Sequence, residues 1–316
     1  MTKKKILSLL GLIVVVILWG IAPVTSKYLF DNNYYSPAFL VGVRGALSIL
    51  AMFLIILING DLKDVNKSYW ICIPAGLILG FAYLFQFIGL DSTTPAKNTF
   101  LESFSCIAVP IVLFILTREK PSVSSVVASI VCVLGAFVLC GQGFNFSELF
   151  TAPTMGDILS CVGGMFFGID IAFTKVFAKG KNSRVFVFFQ LFILTIMSFA
   201  YAIPFEKDLA FNWDLPIRIN VIFIGVVCTA VCWTLRTKCI SNVSAVTCAV
   251  LMPMSAVVAA FVSLICRMEK FSWNVVVGGV IITLAIVISG IFDAKREAKE
   301  KTQQQEKVEV VTNEQN

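Results

Sequence analysis

The chain reads Trp19-Gly20-Ile21-Ala22-Pro23-Val24-Thr25-Ser26-Lys27. Farther along it reads Phe167-Gly168-Ile169-Asp170-Ile171-Ala172-Phe173-Thr174-Lys175, in register with the first stretch at a shift of 148. An aromatic-Gly-Ile start and a hydroxyl-Lys finish recur at one spacing. A shift of 150 sets Leu101, Ser105, Glu119, Lys120 and Ser122 against Leu251, Ser255, Glu269, Lys270 and Ser272, and sets Tyr83 against Trp233. A shift of 146 sets Arg44 against Gln190. Offsets that drift by a few residues are what short loop insertions produce, so the chain contains one unit twice.

Both copies lie in apolar sequence. Of 316 residues, 58% are hydrophobic and 14% charged, against roughly 45–50% and about 25% in soluble domains. Mean hydropathy is +0.89. No water-soluble fold of this size hides that much apolar surface, which excludes a soluble enzyme, a secreted disulfide scaffold and a nucleic-acid-binding domain. Ten segments have the ~20 apolar residues needed to cross a bilayer: 6–27, 37–58, 69–90, 96–117, 123–141, 156–177, 184–204, 217–238, 244–266 and 272–292. Five fall in each copy. Five is odd, so equivalent segments cross in opposite directions. The expected fold is all-α and polytopic, with ten transmembrane helices as two inverted five-helix repeats. The expected divisions are a first repeat at 1–141, an external linker at 142–155, a second repeat at 156–292 and a disordered cytoplasmic tail at 293–316.

Charge sets the orientation. With the N-terminus inside and ten crossings, eighteen of the 25 Lys and Arg fall in inside segments or the tail and six fall outside, with Arg44 within a helix. Arg236 and Lys238 count among the inside cations. By the positive-inside rule both ends are expected in the cytoplasm of a cell (plasma) inner membrane. The stretch behind Lys3-Lys4-Lys5 is too long for a signal-peptide core and lacks a small-x-small cleavage site, so it reads as an uncleaved first helix.

Several chemistries are missing from the sequence. There is no histidine, hence no imidazole base, metal ligand or pH switch. The ten cysteines show no CxxC pair and read as small buried hydrophobes rather than a zinc site or disulfide framework. No GxSxG elbow, Walker A loop or paired-aspartate protease motif occurs. The expectation is no enzyme, no catalytic residue, no metal, no cofactor and no nucleic-acid partner. Movement of any solute would draw on a gradient rather than on ATP.

Odd repeats of opposite orientation characterise many secondary transporters, because two similar inverted halves give two conformations of similar energy, each open to one side. The sequence also resembles the drug/metabolite transporter superfamily, specifically its EamA-type ten-helix members. The residues that carry the resemblance are Trp19-Gly20 through Lys27, Arg44, Gly89-Leu90-Asp91-Ser92-Thr93-Thr94-Pro95-Ala96, Pro110 with Glu119, Gly156-Asp157, Gln190 and Glu269. It covers roughly residues 6–292. It departs at Arg236-Thr237-Lys238-Cys239, where family members often have a Gln or Lys polar stretch. The resemblance implies alternating access and export of a small amphipathic metabolite such as an amino acid. A lipid or lipid-linked sugar translocator is the alternative. The implied partners are a small-molecule substrate, the bilayer and, if transport is coupled, protons. Ten helices in two halves can enclose a whole pathway, so a monomer suffices and a homodimer also fits.

Ionisable groups inside a bilayer are costly and point to function or to a partner. Arg44 and Glu102 lie about seven and six residues into their segments from the outer side, roughly 10 Å deep at ~1.5 Å per residue. They are expected to pair, or nearly so, either as a structural bridge or with Arg44 holding a substrate anion while Glu102 takes a proton or an amine. Asp170 lies deep in the sixth segment. Its expected partner is Gln190, with Lys175 or Lys238 as alternatives, and it is the second proton-coupling candidate. Trp19, Tyr83 and Trp233 are expected to form an aromatic wall between the repeats, with Gln86 beside Tyr83 as a hydrogen-bonding group. Substrate contacts are therefore expected from Trp19, Arg44, Tyr83, Gln86, Glu102, Gln190 and Trp233. Lys27 and Lys175 read as snorkelling cations, and Lys97 as a cap or a cation reaching an outer vestibule. Trp70, Trp213 and Trp273 read as interfacial anchors. Pro23, Pro110 and Pro253 are expected to kink their helices. Gly76-x-x-x-Gly80 and Gly164-x-x-x-Gly168 are expected at close helix contacts.

Overall fold

The computed structural model describes residues 3–118, 120, 121, 123–140, 154–206, 211–268, 273, 274, 276–285 and 288. The helices are α1 (Lys3–Asp31), α2 (Pro37–Asn59), α3 (Lys67–Asp91), α4 (Pro95–Thr117), α5 (Val123–Cys140), α6 (Met155–Phe177), α7 (Ser183–Phe205), α8 (Leu215–Ile240), α9 (Ala245–Ile265) and α10 (Val276–Ala285). Eight of them are long and apolar enough to span a membrane, and α5 and α10 contribute shorter apolar stretches. Among the described residues there is no β-strand. The protein is the polytopic all-α membrane protein expected. Glu119 and Glu269, positions 142–153 of the expected linker and the expected tail at 293–316 lie outside the described residues.

Local chemistry sets the helix ends, and it repeats. Thr94 opens α4 by accepting from the Lys97 amide, and Ser244, its equivalent at +150, opens α9 by accepting from the Thr247 amide. Thr154 and Asp157 form a reciprocal capping box on α6, satisfying two otherwise orphaned amides. Gly60 ends α2 at φ 67°, a left-handed position that costs glycine little. The Glu206 carboxylate accepts from the amides of Ala38 and Phe39 at 2.7 and 3.0 Å, placing a negative charge at the positive end of α2. Large apolar side chains such as Leu7, Ile58 and Ile203 stand exposed on the outer face, where acyl chains would cover them.

The inversion is visible at residue level. Ala38, Gly42 and Gly45 of α2 meet Glu206, Phe199 and Thr195 of α7. One series rises as the other falls, so these equivalent helices run antiparallel. Contacts between repeats also come in exchanged pairs, as a two-fold axis requires. Gly20 of α1 abuts Ser255 and Val258 of α9, and Gly168 of α6 abuts Ser105 and Ala108 of α4. These are the same three positions under the shifts of 148 and 150. Lys27 donates to the Asp91 carbonyl at the end of α3. Its equivalent Lys175 donates to the Ile240 and Val243 carbonyls at the end of α8, at 2.8 and 2.6 Å. Both lysines close helix C-termini, where orphaned carbonyls and the dipole favour a cation.

Two helices break at matching places. Residues Glu102–Phe104 form a 3-10 turn inside α4, and α9 is interrupted at Met252-Pro253 between Ala245–Leu251 and Met254–Ile265. Pro253 marks the second break as expected. The first has no proline; there the backbone of Gly164 comes close against Leu101 and Glu102. Pro23 and Pro110 lie inside α1 and α4. Helix α8 widens to π geometry over Phe223–Val231, where the Thr229 hydroxyl donates to the Ile224 carbonyl five residues back.

Both glycine motifs sit at close crossings. Gly76 and Gly80 face Ile193 and Met197 of α7. A Cβ on Gly168 would stand 2.6 Å from the Ala108 Cβ and 2.8 Å from the Ser105 carbonyl. Overpacking of this kind costs about 1–3 kcal/mol. Gly168→Val is therefore expected to lower the melting temperature of the purified protein, and an unchanged melting temperature would contradict this close crossing.

Candidate functional site

A cavity lies where the two repeats meet. Its free volume is about 50 Å³, room for a few water molecules at ~10–15 Å³ each. Its walls come from the aromatic-Gly-Ile stretches of α1 and α6, from α2, α3 and α8, and from the breaks of α4 and α9. The Trp19 and Trp233 rings are 4.9 Å apart, and the equivalent pair Phe167 and Tyr83 is 5.5 Å apart. Trp233 Nε1 donates to the Tyr83 hydroxyl at 2.6 Å. Because these two residues are equivalent, their bond lies on the pseudo-two-fold axis. Trp19 Nε1 donates to the Cys228 carbonyl at 2.8 Å. The aromatic wall is assembled, and every indole N–H in it has a partner.

Arg44 and Glu102 both line this cavity, but they form no ion pair. Arg44 Nε and Nη2 donate to Thr229 Oγ1 at 2.9 and 2.7 Å, and its guanidinium lies 5.0 Å from the centroids of both Tyr83 and Phe87. Among the described residues no carboxylate lies within 4 Å of Arg44. The Glu102 carboxylate instead accepts from Gln86 Nε2. The two are near neighbours around one cavity without a direct pair, the Thr229 hydroxyl and two ring faces holding the guanidinium instead.

Asp170 does meet Gln190, whose Nε2 donates at 2.5 Å. Its charged partner is neither Lys175 nor Lys238. It is Arg236, with Nη1 2.9 Å from Asp170 Oδ2, both side chains almost completely buried. The approach is off the hydrogen-bond direction, so neither atom is otherwise satisfied. Arg236 also lies 4.6 Å from the Trp233 ring centroid and lines the cavity. Counting Arg236 as a loop cation missed this. The available signal was its position three residues after Trp233, on the same side of α8. Thr229, Phe167 and Ser255 are further wall or anchoring residues that sequence reasoning did not single out for the site.

The remaining candidates lie elsewhere. Lys97 bridges to Asp157 at 2.7 Å and ties the start of α4 to α6. Trp70, Trp213 and Trp273 are exposed. At the opposite end, Arg184 grips Asp61 through Nε and Nη2 at 2.6 and 3.0 Å, and that fork holds the Asp61 carboxyl below the usual carboxylate range. Among the described residues no group of three or more acidic or cysteine side chains is placed to hold a metal ion.

Residues 6–141 match the EamA-like transporter family, and residues 154–291 match it again. The chain belongs to this family. A protein of Archaeoglobus fulgidus named "uncharacterized transporter" is 30% identical over 203 residues. That match covers 63% of this chain and 59% of the relative, so less than two thirds of the relative's length is spanned. A solved crystal structure superposes with a TM-score of 0.71 over 92% of this chain and 99% of its own, at 13% identity. This last likeness concerns the fold.

Proposed function

We propose that this EamA-family protein is a secondary transporter that works by alternating access on a small amphipathic metabolite carrying an anionic group, such as an amino acid, and exports it across the plasma membrane with both termini in the cytoplasm. The observation that carries the reading is Arg44, a buried guanidinium facing a cavity between inverted repeats with no carboxylate in reach. A hydrogen bond from this charged group to an anion contributes about 1.5–3 kcal/mol, against about 0.5–1.5 kcal/mol for a neutral one. The aromatic wall suits the apolar part of the solute. Glu102, held by a neutral amide alone, is the group we assign to an ammonium or a coupling proton. Asp170 is already engaged by Arg236 and Gln190, so its role is to balance Arg236. The small free volume supports a cycle in which the cavity widens toward one side at a time.

The test is an untargeted comparison of metabolites in cells and medium, with and without the chain, in a host lacking its own relatives. One solute class is expected to move from cell to medium. No shift in any soluble metabolite, with the protein folded in the membrane, contradicts the reading. In sealed vesicles a pH gradient is expected to drive the wild type and not Glu102→Gln. Equal driving of both removes the proton role of Glu102.

A further inference from the structure

The two repeats differ at a further pair of equivalent places. Where α3 and α7 meet the start of α2, Ala38, Leu84 and Ala202 form an apolar cluster against Phe39, Ile88 and Tyr201. The equivalent place, between α8, α2 and the start of α7, holds a cavity of about 400 Å³. The repeat shifts map Ala38 to Arg184, Leu84 to Thr234, Ile88 to Lys238 and Tyr201 to Ile55. All four of these counterparts line the cavity. A space that merely opened in one conformation would keep the apolar lining of its twin. Here three of the four counterparts, Arg184, Thr234 and Lys238, are polar or cationic where the twin has Ala38, Leu84 and Ile88.

The cavity is also graded. Asn182, Arg184 and Lys238 stand at one end. Val231 lies seven residues before Lys238 on α8, about 10 Å deeper at ~1.5 Å per residue. Met52, Ile55 and Leu235 share the apolar part with it. Val231 is 45% exposed although it lies within a membrane span, so this part opens sideways to the bilayer. The Arg184 charge is answered by Asp61, whereas no carboxylate lies within 4 Å of Lys238 among the described residues.

We propose that this cavity binds an anionic amphiphile, its phosphate or carboxylate head at Lys238 and its apolar chain along Met52, Ile55 and Val231. The site is separate from the Arg44 cavity and does not depend on which solute is transported. Membrane phospholipid and a free short-chain acid share this chemistry, and two probes tell them apart. The full chain in phosphatidylcholine nanodiscs is titrated with dioctanoyl phosphatidylglycerol and, separately, with octanoate, and bound adducts are followed by native mass spectrometry. At least one probe is expected to bind the wild type. Lys238→Ile, which restores the residue of the twin site, is expected to weaken binding at least tenfold, and Lys238→Arg to stay within about threefold. Lys238→Gln serves if the Ile variant does not fold. Stronger retention of phosphatidylglycerol assigns the site to lipid, and stronger retention of octanoate assigns it to a free acid. Binding of neither probe, equal binding by the neutral-residue variant, or loss of binding in Arg44→Ala overturns the proposal; the last would place the probe in the central cavity.

Discussion

Arg236→Met is expected to destabilise the protein by about 3–5 kcal/mol, because it leaves the buried Asp170 carboxylate without its charged partner. Asp170 is 0% exposed and Arg236 1%, so bulk solvent does not reach either charge. Gln190 would still donate to Asp170, but a neutral amide does not replace a guanidinium. The double variant Arg236→Met with Asp170→Leu removes both charges and is expected to recover most of the loss, since buried pairs contribute little net stability while half of a pair is costly. Thermal unfolding of the three proteins in one detergent checks this. A single variant as stable as the wild type would mean that Asp170 is neutral in the folded protein.

Arg44→Ala is expected to lower stability through the lost Thr229 and ring contacts, and to lose most transport even where the protein remains folded. Its removal leaves no buried carboxylate behind. It gives up two hydrogen bonds to Thr229 and the contacts with two rings. A hydrogen bond to a charged group contributes about 1.5–3 kcal/mol, so losing the anion contact predicts a rate at low solute concentration at least tenfold lower. Arg44→Lys is expected to recover part of this, because an ammonium keeps the charge but loses the planar fork. Export rates of the identified solute, with protein level and melting temperature as controls, decide it. Unchanged export by Arg44→Ala would move the binding site elsewhere.

The repeat was readable because Trp19-Gly20-Ile21 and Phe167-Gly168-Ile169 occupy close crossings that need a small residue beside a ring, and few residue types meet that need. The aromatic wall followed from the same shifts. Depth was readable too, since hydropathy locates the spans. Direction around each helix was not, which is why Arg44 and Glu102 come to one cavity without the direct pair. Arg236 sits at the end of an apolar run, where a count of charges assigns it to a loop. Only the packing of α8 on α6 turns it inward. The π segment of α8 and the proline-free break at Glu102–Phe104 carry no local signal, because contacts from neighbouring helices accompany them. The cavity at Lys238 was hidden for a related reason. It appears as a difference between two equivalent places, and both have to be seen.

The central claim is that one binding site faces the two sides in turn. Counterflow tests it most directly. Proteoliposomes holding the purified wild-type chain are loaded with unlabelled solute and diluted into a trace of labelled solute. Alternating access predicts a transient accumulation of label above its outside concentration, absent in Arg44→Ala. Label that only equilibrates, with no overshoot and no dependence on internal solute, would contradict the account and point to a pore.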